Sequence, residues 1–132
     1  HHPKEIEATL QALRERYASP KFKLIVVFQP HLYSRTKLLL DDFSQAFTLA
    51  DTVCILPIYA AREVDDGTIS SHDLVEKTHN AIYMETFDEV KKYLDKKAHS
   101  GSVVLMLGAG DVYLLCDSFI TEKKQKTIVE KK

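Results

Sequence analysis

The chain has 132 residues, of which 45% are apolar and 28% are charged, and its formal net charge is −1. This length suffices for one domain with a real core but not for two. The near-neutral charge gives no general electrostatic reason to bind nucleic acid or an anionic membrane. No apolar run approaches the ~20 residues of a membrane span, and no signal peptide is visible.

The cysteines, histidines and glycines argue against three kinds of site. Cys54 and Cys116 lie inside apolar runs, so we expect buried thiols in a reducing cytoplasm. The six histidines lack an i, i+4 pair and cysteine partners at zinc spacing, so no metal site is predicted. None of the four glycines belongs to a G-x-x-x-x-G-K-[ST] phosphate loop. If this domain handles ATP, the main phosphate cradle lies elsewhere.

The first third of the chain alternates helical and strand patterns. Helical spacing of apolar residues predicts a first helix over Glu5–Tyr17, which Ser19-Pro20 ends. The β-branched run Lys23–Phe28 predicts a buried strand. A second helix is predicted from Ser34, as its N-cap, to Leu49. The next strand is predicted over Thr52–Leu56.

The alternation continues to the end of the chain. Ile58–Ser70 is predicted as a loop with a turn at Asp65-Asp66-Gly67. The later predicted elements are a helix capped by Ser70 or Ser71 and ending at Lys77, a strand over Ala81–Met84, a helix opened by Thr86 and ending near Lys97, a strand over Val103–Leu107 and a helix over Asp111–Phe119. The pattern predicts a three-layer, Rossmann-like α/β domain, with a mostly parallel sheet of about five or six strands and helices on both faces.

Three loops follow predicted strands: Gln29–Arg35, Pro57–Asp66 and Gly108–Asp111. Because the carboxyl ends of parallel strands share one edge, we expect these loops to meet where ligands bind in open α/β sheets. The last loop, Gly108-Ala109-Gly110-Asp111, allows close backbone approach, although a plain packing turn has the same pattern. For Tyr59-Ala60-Ala61-Arg62-Glu63, a solvated loop is the favoured interpretation.

The loop from Gln29 to Thr36 carries the strongest functional signal. Arg35 has a planar fork that suits a carboxylate or a phosphate. The helix start beside it offers backbone amides and the positive end of the helix dipole. With His31, Tyr33 and Ser34 these groups predict an anion site. The alternative is that Ser34 only caps the helix and Arg35 only solvates its first turn.

Four segments together resemble the C-terminal domain of the Mur ligase family, in the form found in UDP-N-acetylmuramate–L-alanine ligases. They are His1-His2-Pro3-x-Glu5-Ile6, Phe28-Gln29-Pro30-His31-x-Tyr33-Ser34-Arg35-Thr36, Tyr59-Ala60-Ala61-x-Glu63 and Gly108-Ala109-Gly110-Asp111. Their order and spacing match to about Phe119. The resemblance implies a glutamate-ligase-like domain over 1–120, followed by a Lys-rich tail over 121–132 that either frays or adds an edge strand near Thr127-Ile128-Val129. It also implies that the leading histidines, which composition alone would assign to a purification tag, are native.

The resemblance implies a bacterial, cytoplasmic enzyme of peptidoglycan precursor synthesis with three domains. A UDP-binding N-terminal domain and a central ATPase would be joined by this domain, which closes over both. ATP phosphorylates the muramate carboxylate, and the amine of L-alanine then attacks the acyl phosphate. ATP and Mg²⁺ would be bound mainly by the central domain, so this chain alone is expected to be inactive. Its partners would be UDP-N-acetylmuramate, L-alanine, ATP and the two other domains.

By the same resemblance, the binding residues form two groups, and neither a catalytic residue nor a metal ligand is expected in this chain. The expected substrate-binding residues are His1, His31, Tyr33 and Arg35, with His2 near the nucleotide. The expected supporting loop residues are Ser34, Tyr59, Gly108, Gly110 and Asp111. His1 and Arg35 would help to hold the alanine carboxylate. Since the family usually has Arg where this chain has Leu32, Arg35 is the only permanently charged cation of its loop.

Two other interpretations stay open at this point. The C-terminal domain of murein tripeptide ligase is similar, although its loop after the first strand differs from the His-x-Tyr-Ser-Arg-Thr form. A free-standing, non-catalytic α/β binding module would also lack a phosphate loop.

Overall fold

The computed structural model describes residues 2–108, 110–115 and 117, and the backbone of residues 128–131. The helices are α1 (Pro3–Arg16), α2 (Tyr33–Leu38), α3 (Leu40–Ala46), α4 (Ser71–Lys77) and α5 (Phe87–Lys97). Residues 112–115 and 117 are also helical. The strands are β1 (Lys23–Gln29), β2 (Thr52–Ile55), β3 (Ala81–Tyr83), β4 (Ser102–Gly108) and β5 (Ile128–Lys131). The predictions for His1, Ala109, Cys116, Phe119 and residues 121–127 fall outside the described residues.

The described strands form one parallel sheet in the order β3-β2-β1-β4-β5. Both faces of the sheet are covered by helices. Successive side chains of β1 point to opposite faces, so the strand contributes to two separate cores. Val26 and Phe28 pack with Phe43 and with residues of α1 and α4, whereas Ile25 and Val27 pack with α5 and residues 112–115. This three-layer α/β arrangement confirms the predicted fold class.

The strand order sets the position of the functional edge. After β1 the chain proceeds to β2 and β3 on one side, and it then crosses back through α5 to β4 on the other side of β1. The loops that follow β1 and β4 therefore leave the sheet in opposite directions. A crevice opens between such loops at the carboxyl ends of the strands, and this switch point is the usual ligand position in open α/β sheets.

The predicted helix from Ser34 to Leu49 is wrong in two respects. The segment forms α2 and α3, because Leu39 departs from helical geometry with φ −108° and ψ 21°. This break lets α3 bury Phe43 against the sheet while α2 stays at the edge, with Thr36 as its buried residue. The predicted N-cap is also wrong: Ser34 lies inside α2, and its hydroxyl donates to Glu63.

The other helix starts agree with their sequence signals. Ser70 caps α4 in a reciprocal capping box with Asp73. Thr86 caps α5 by accepting from the Glu89 N–H at 3.2 Å, although the Glu89 carboxylate accepts from Glu85 instead of closing the box. Residues 128–131 of the Lys-rich tail pair with β4 as an edge strand. The domain boundary at residue 120 stays a prediction.

Arg14 and Asp51 join α1 to the amino ends of the strands. The Arg14 guanidinium donates to the Asp51 carboxylate at 2.8 Å and to the Phe22 carbonyl at 3.0 Å. The same carboxylate accepts from the Leu24 N–H at 2.8 Å. Burial opposes ionisation of Asp51, but the Leu24 N–H and Arg14 outweigh it and hold the pKa of Asp51 below its usual value. These contacts fix the end of the sheet opposite the functional edge.

The lowered pKa of Asp51 makes the stability of the chain dependent on acid pH. The unfolded chain binds this proton near pH ~4 and the folded chain only at lower pH. The stabilisation is therefore complete above about pH 4 and is lost as the pH falls through the folded pKa. We expect Asp51→Asn to lower the free energy of unfolding at pH 7 by about 1 kcal/mol and to flatten its decline below about pH 4.

Urea unfolding of the wild-type chain and of Asp51→Asn between pH 3 and 7 measures this effect. Asp42→Asn is the matched control, because the Asp42 side chain is exposed on α3 and makes no hydrogen bond or ion pair with another described residue. An acid slope in Asp51→Asn equal to that of the wild type would contradict the assignment.

Candidate functional site

The loops that follow β1 and β2 are joined by backbone hydrogen bonds. The Leu32 N–H donates to the Tyr59 carbonyl at 2.9 Å, and the Tyr59 N–H donates to the Pro30 carbonyl at 2.8 Å. These bonds extend the parallel pairing of β1 and β2 by a bridge between His31 and Tyr59. The segment that begins at Tyr59 is thus paired with the loop after β1 at this one residue, while Tyr59, Ala61 and Arg62 are exposed, as expected for a solvated loop.

The Tyr59 side chain brings the third loop into the same site. Its ring stacks on the His31 imidazole, with centroids 5.9 Å apart and an interplanar angle of 28°. The ring also faces Gly110, where an added Cβ would lie only 2.8 Å from it. The loops that follow β1, β2 and β4 therefore meet at Tyr59, as their positions after parallel strands predict.

The Arg35 guanidinium lies beside the His31 imidazole at this edge. Its Nη1 is 3.4 Å from the His31 Nδ1, so the imidazole accepts from the guanidinium at that nitrogen. Both side chains are half-buried. Among the described residues, no carboxylate lies within ion-pair distance of Arg35. A half-buried cation with free donors is suited to a carboxylate or a phosphate from outside this part of the chain.

The start of α2 does not offer the free amides that the sequence predicts. The Glu63 carboxylate accepts from the Ser34 N–H at 3.0 Å and from the Ser34 hydroxyl. The hydrogen bonds from the Ser34 hydroxyl and amide hold the pKa of Glu63 below its usual value, and the Tyr33 N–H contributes. The anion at this helix start is therefore a side chain of the protein itself. Any external anion is left to Arg35 and His31.

Tyr33 and Ser34 lie on a different side of α2 from the His31–Arg35 contact. They line a cavity of about 330 Å³ between α2 and the loop that follows β2, together with Lys37, Glu63, Val64, Asp66, Thr68 and Ile69. Burial, followed by the charges of Asp65 and Glu63, raises the pKa of Tyr33. The predicted cluster of four polar residues is thus divided in two, and its roles in substrate binding stay predictions.

The glycine loop and Gln29 complete the edge. Gly108 pairs with Gln29 in the sheet and has φ +150°. The Gln29 Nε2 donates to the Pro57 carbonyl at 3.5 Å, while its buried Oε1 has no hydrogen-bond partner among the described residues. Asp111 is exposed, and its carbonyl accepts from the Leu114 N–H at 2.9 Å at the start of the last described helix.

His2 caps α1, and His1 lies outside the described residues. The His2 Nδ1 accepts from the Lys4 N–H at 3.2 Å. Since the last turn of α1 contacts the start of β1 through Arg14, the helix runs antiparallel to the sheet. His2 therefore lies toward the edge where the strands end. Its predicted place near the nucleotide stays a prediction.

Sequence reasoning missed Glu63 as a member of the site. A signal for it appears once the N-cap of α2 is placed at Leu32: this residue has no side-chain oxygen, so a more distant residue has to satisfy the first amides. Glu63 follows the strand next to β1, and neighbouring parallel strands bring their loops together. The acid in Tyr59-Ala60-Ala61-x-Glu63 was the available candidate.

The described residues contain neither a metal-binding cluster nor a membrane-spanning helix. Residues 2–108, 110–115 and 117 include no group of three His, Cys, Asp or Glu side chains that could hold a metal ion. No helix in the described part of the chain is both long and apolar enough to cross a membrane.

Comparison with protein families and sequences gives a consistent match. Residues 1–110 match the family model described as Mur ligase, glutamate ligase domain. A UDP-N-acetylmuramate–L-alanine ligase of Alkaliphilus metalliredigens is 48% identical over 126 residues, which are 93% of this chain and 27% of the relative. The enzyme of the same name from Caldanaerobacter subterraneus is 43% identical over 129 residues, 95% of this chain and 27% of the relative. The chain thus spans about a quarter of the length of these curated relatives.

Solved structures agree in fold. The UDP-N-acetylmuramate-alanine ligase of Thermotoga maritima aligns with a TM-score of 0.68 and 28% identity, over 92% of this chain and 24% of that protein. A domain from a putative UDP-N-acetylmuramate:L-alanyl-γ-D-glutamyl-diaminopimelate ligase of Haemophilus ducreyi aligns with a TM-score of 0.67 and 19% identity, over 92% of this chain and 84% of that domain. At that identity the second structure shows a common fold alone.

Proposed function

The chain belongs to the Mur ligase family, as a glutamate ligase domain, and from this we propose that it is the C-terminal domain of an ATP-dependent ligase that adds L-alanine to UDP-N-acetylmuramate. The observation that carries the proposal is the half-buried Arg35 at the edge of the sheet, without a carboxylate partner among the described residues. The relatives that are 43–48% identical support alanine as the amino acid. Murein tripeptide ligase and a free-standing binding module are not favoured, because these relatives are named UDP-N-acetylmuramate–L-alanine ligase and the chain covers only about a quarter of their length.

Within this proposal, the residues of the edge bind and orient the amino acid. The Arg35 guanidinium pairs with the alanine carboxylate, and the imidazole of His31 holds that guanidinium in place. Tyr59 supports the imidazole through its stacked ring. Positioning of this kind accelerates the attack of an amine on an acyl phosphate, because it holds the two reactants close together in a reactive orientation. The domain closes over reactants that the rest of the enzyme holds.

ATP and Mg²⁺ are bound mainly by the central domain in this proposal. The sequence has no phosphate loop, and the described residues include no cluster that could hold a metal ion. When bound, Mg²⁺ neutralises charge on the phosphates of ATP. The proposed partners of this chain are the other two domains, UDP-N-acetylmuramate, L-alanine and ATP, in the bacterial cytoplasm.

The proposal predicts the substrate dependence of the full-length enzyme. We expect ADP to form only when ATP, UDP-N-acetylmuramate and L-alanine are all present, because the acyl phosphate and the amine are both needed for turnover. A coupled assay of ADP release, with each substrate omitted in turn, measures this dependence. The 132-residue chain alone is the negative control. Turnover with L-alanyl-γ-D-glutamyl-diaminopimelate in place of alanine would overturn the proposal.

A further inference from the structure

Helix α2 has no capping group of its own. Its N-cap is Leu32, which makes no side-chain hydrogen bond to the helix, and its first turn contains no acidic residue. The first amides of any helix need acceptors from outside its own backbone. An Asp, Asn, Ser or Thr usually supplies one locally.

Glu63 supplies the missing acceptor from another loop. It lies 29 residues after Ser34, and its carboxylate accepts from both the amide and the hydroxyl of that residue. The helix start favours an anion, and hydrogen bonds to a carboxylate are stronger than those between neutral groups. The contact therefore ties the loop that follows β2 to the first turn of α2.

The backbone around this contact is strained on both sides. Ala61 has φ +55° in the turn that the Glu63 N–H closes by donating to the Ala60 carbonyl at 2.9 Å. Leu32 has φ +71°. Among the described residues, these are the non-glycine residues with positive φ. Strain of this kind persists where the surrounding structure requires it, and it concentrates at functional sites.

Arg35 follows Ser34 directly in the same helical turn, so whatever fixes Ser34 also fixes the base of the Arg35 side chain. Glu63 in addition occupies the amides that would otherwise attract an external anion. We propose that Glu63 is a positioning residue of the amino-acid site, which acts through α2 to aim the Arg35 guanidinium. This inference rests on the proposed function, and it assigns a role to a residue that touches no substrate.

Kinetics of the full-length ligase test the role. In Glu63→Ala we expect the KM for L-alanine to rise about tenfold, as for the loss of an N-cap, while the KM for ATP stays within about twofold. Glu63→Gln keeps an oxygen that accepts from the Ser34 amide, so its KM for alanine should rise only about threefold. The matched control is Glu76→Ala, because the Glu76 side chain is exposed on α4 and makes no hydrogen bond or ion pair with another described residue.

The outcomes separate this inference from the function on which it rests. If the wild-type enzyme forms no ADP in response to alanine, the proposed function fails. If the wild type responds and Glu63→Ala leaves the KM for alanine unchanged, or raises the KM values for alanine and ATP equally, the positioning role alone is overturned. Should Glu63→Ala not fold, Glu63→Gln decides, and an unchanged KM for alanine in that variant overturns the role.

Discussion

Arg35→Ala is expected to raise the KM for L-alanine about 100-fold in the full-length ligase, which corresponds to about 2.7 kcal/mol of lost binding free energy. Arg35 is half-buried beside His31 and has no carboxylate partner among the described residues. Removing the guanidinium therefore removes the charge and the paired donors that a carboxylate would bind. Steady-state kinetics with alanine varied at saturating ATP and UDP-N-acetylmuramate measures the change.

Two further variants separate this role from general charge effects. Arg35→Lys keeps the charge but loses the planar fork, so we expect it to recover only part of the affinity for alanine. Lys37 lies two positions after Arg35 on α2 and lines the cavity near Asp66, away from His31. Lys37→Ala therefore removes a cation from the same helix without removing one from the Arg35–His31 contact. A KM for alanine in Arg35→Ala that equals that of Lys37→Ala would place Arg35 outside the amino-acid site.

The arrangement of the sheet followed from local sequence patterns. Buried runs such as Lys23–Phe28 and Val103–Leu107 are short, apolar and separated by helical spacing, which leaves a parallel sheet as the consistent solution. The meeting of the loops at Tyr59 followed from that topology, because parallel strands end at one edge. The sequence left open whether the Lys-rich tail frays or forms an edge strand. Residues 128–131 form a strand by pairing with β4, and this contact is not visible in the tail sequence itself.

The division of the polar cluster could not be derived in the same way. Which side chains share a side of a short helix depends on where the helix starts, and the N-cap is Leu32 instead of the predicted Ser34. Local propensity does not assign a positive φ to a leucine. The contact that stabilises this start comes from Glu63, in a different loop. A local sequence pattern does not show a contact between residues that are 29 positions apart. It becomes predictable only when the helix is known to lack a cap and the loop after the neighbouring strand is considered as the source of a partner.

Gly108→Ala is expected to lower the free energy of unfolding of the chain by about 3 kcal/mol and its Tm by roughly 10 °C. Gly108 has φ +150°, a backbone conformation that residues other than glycine rarely adopt. An added Cβ would lie 2.9 Å from the Gln29 carbonyl oxygen and 3.2 Å from the Val112 Cγ1. Because the Gln29 oxygen belongs to the backbone of the central strand, the clash is relieved only by moving β1 or β4 at the crevice.

Gly67→Ala gives the cost of a positive φ in the absence of any clash. Gly67 also has a positive φ, +79°, but an added Cβ there would have no atom within 4 Å. We therefore expect Gly67→Ala to cost only about 1 kcal/mol, from the left-handed conformation alone. Urea and thermal unfolding of both variants give the difference in stability, which contains the clash at Gly108 and the greater strain of its φ of +150°. Equal losses of unfolding free energy in the two variants would contradict this expectation. They would show that the strands move to accommodate the added methyl group at little cost.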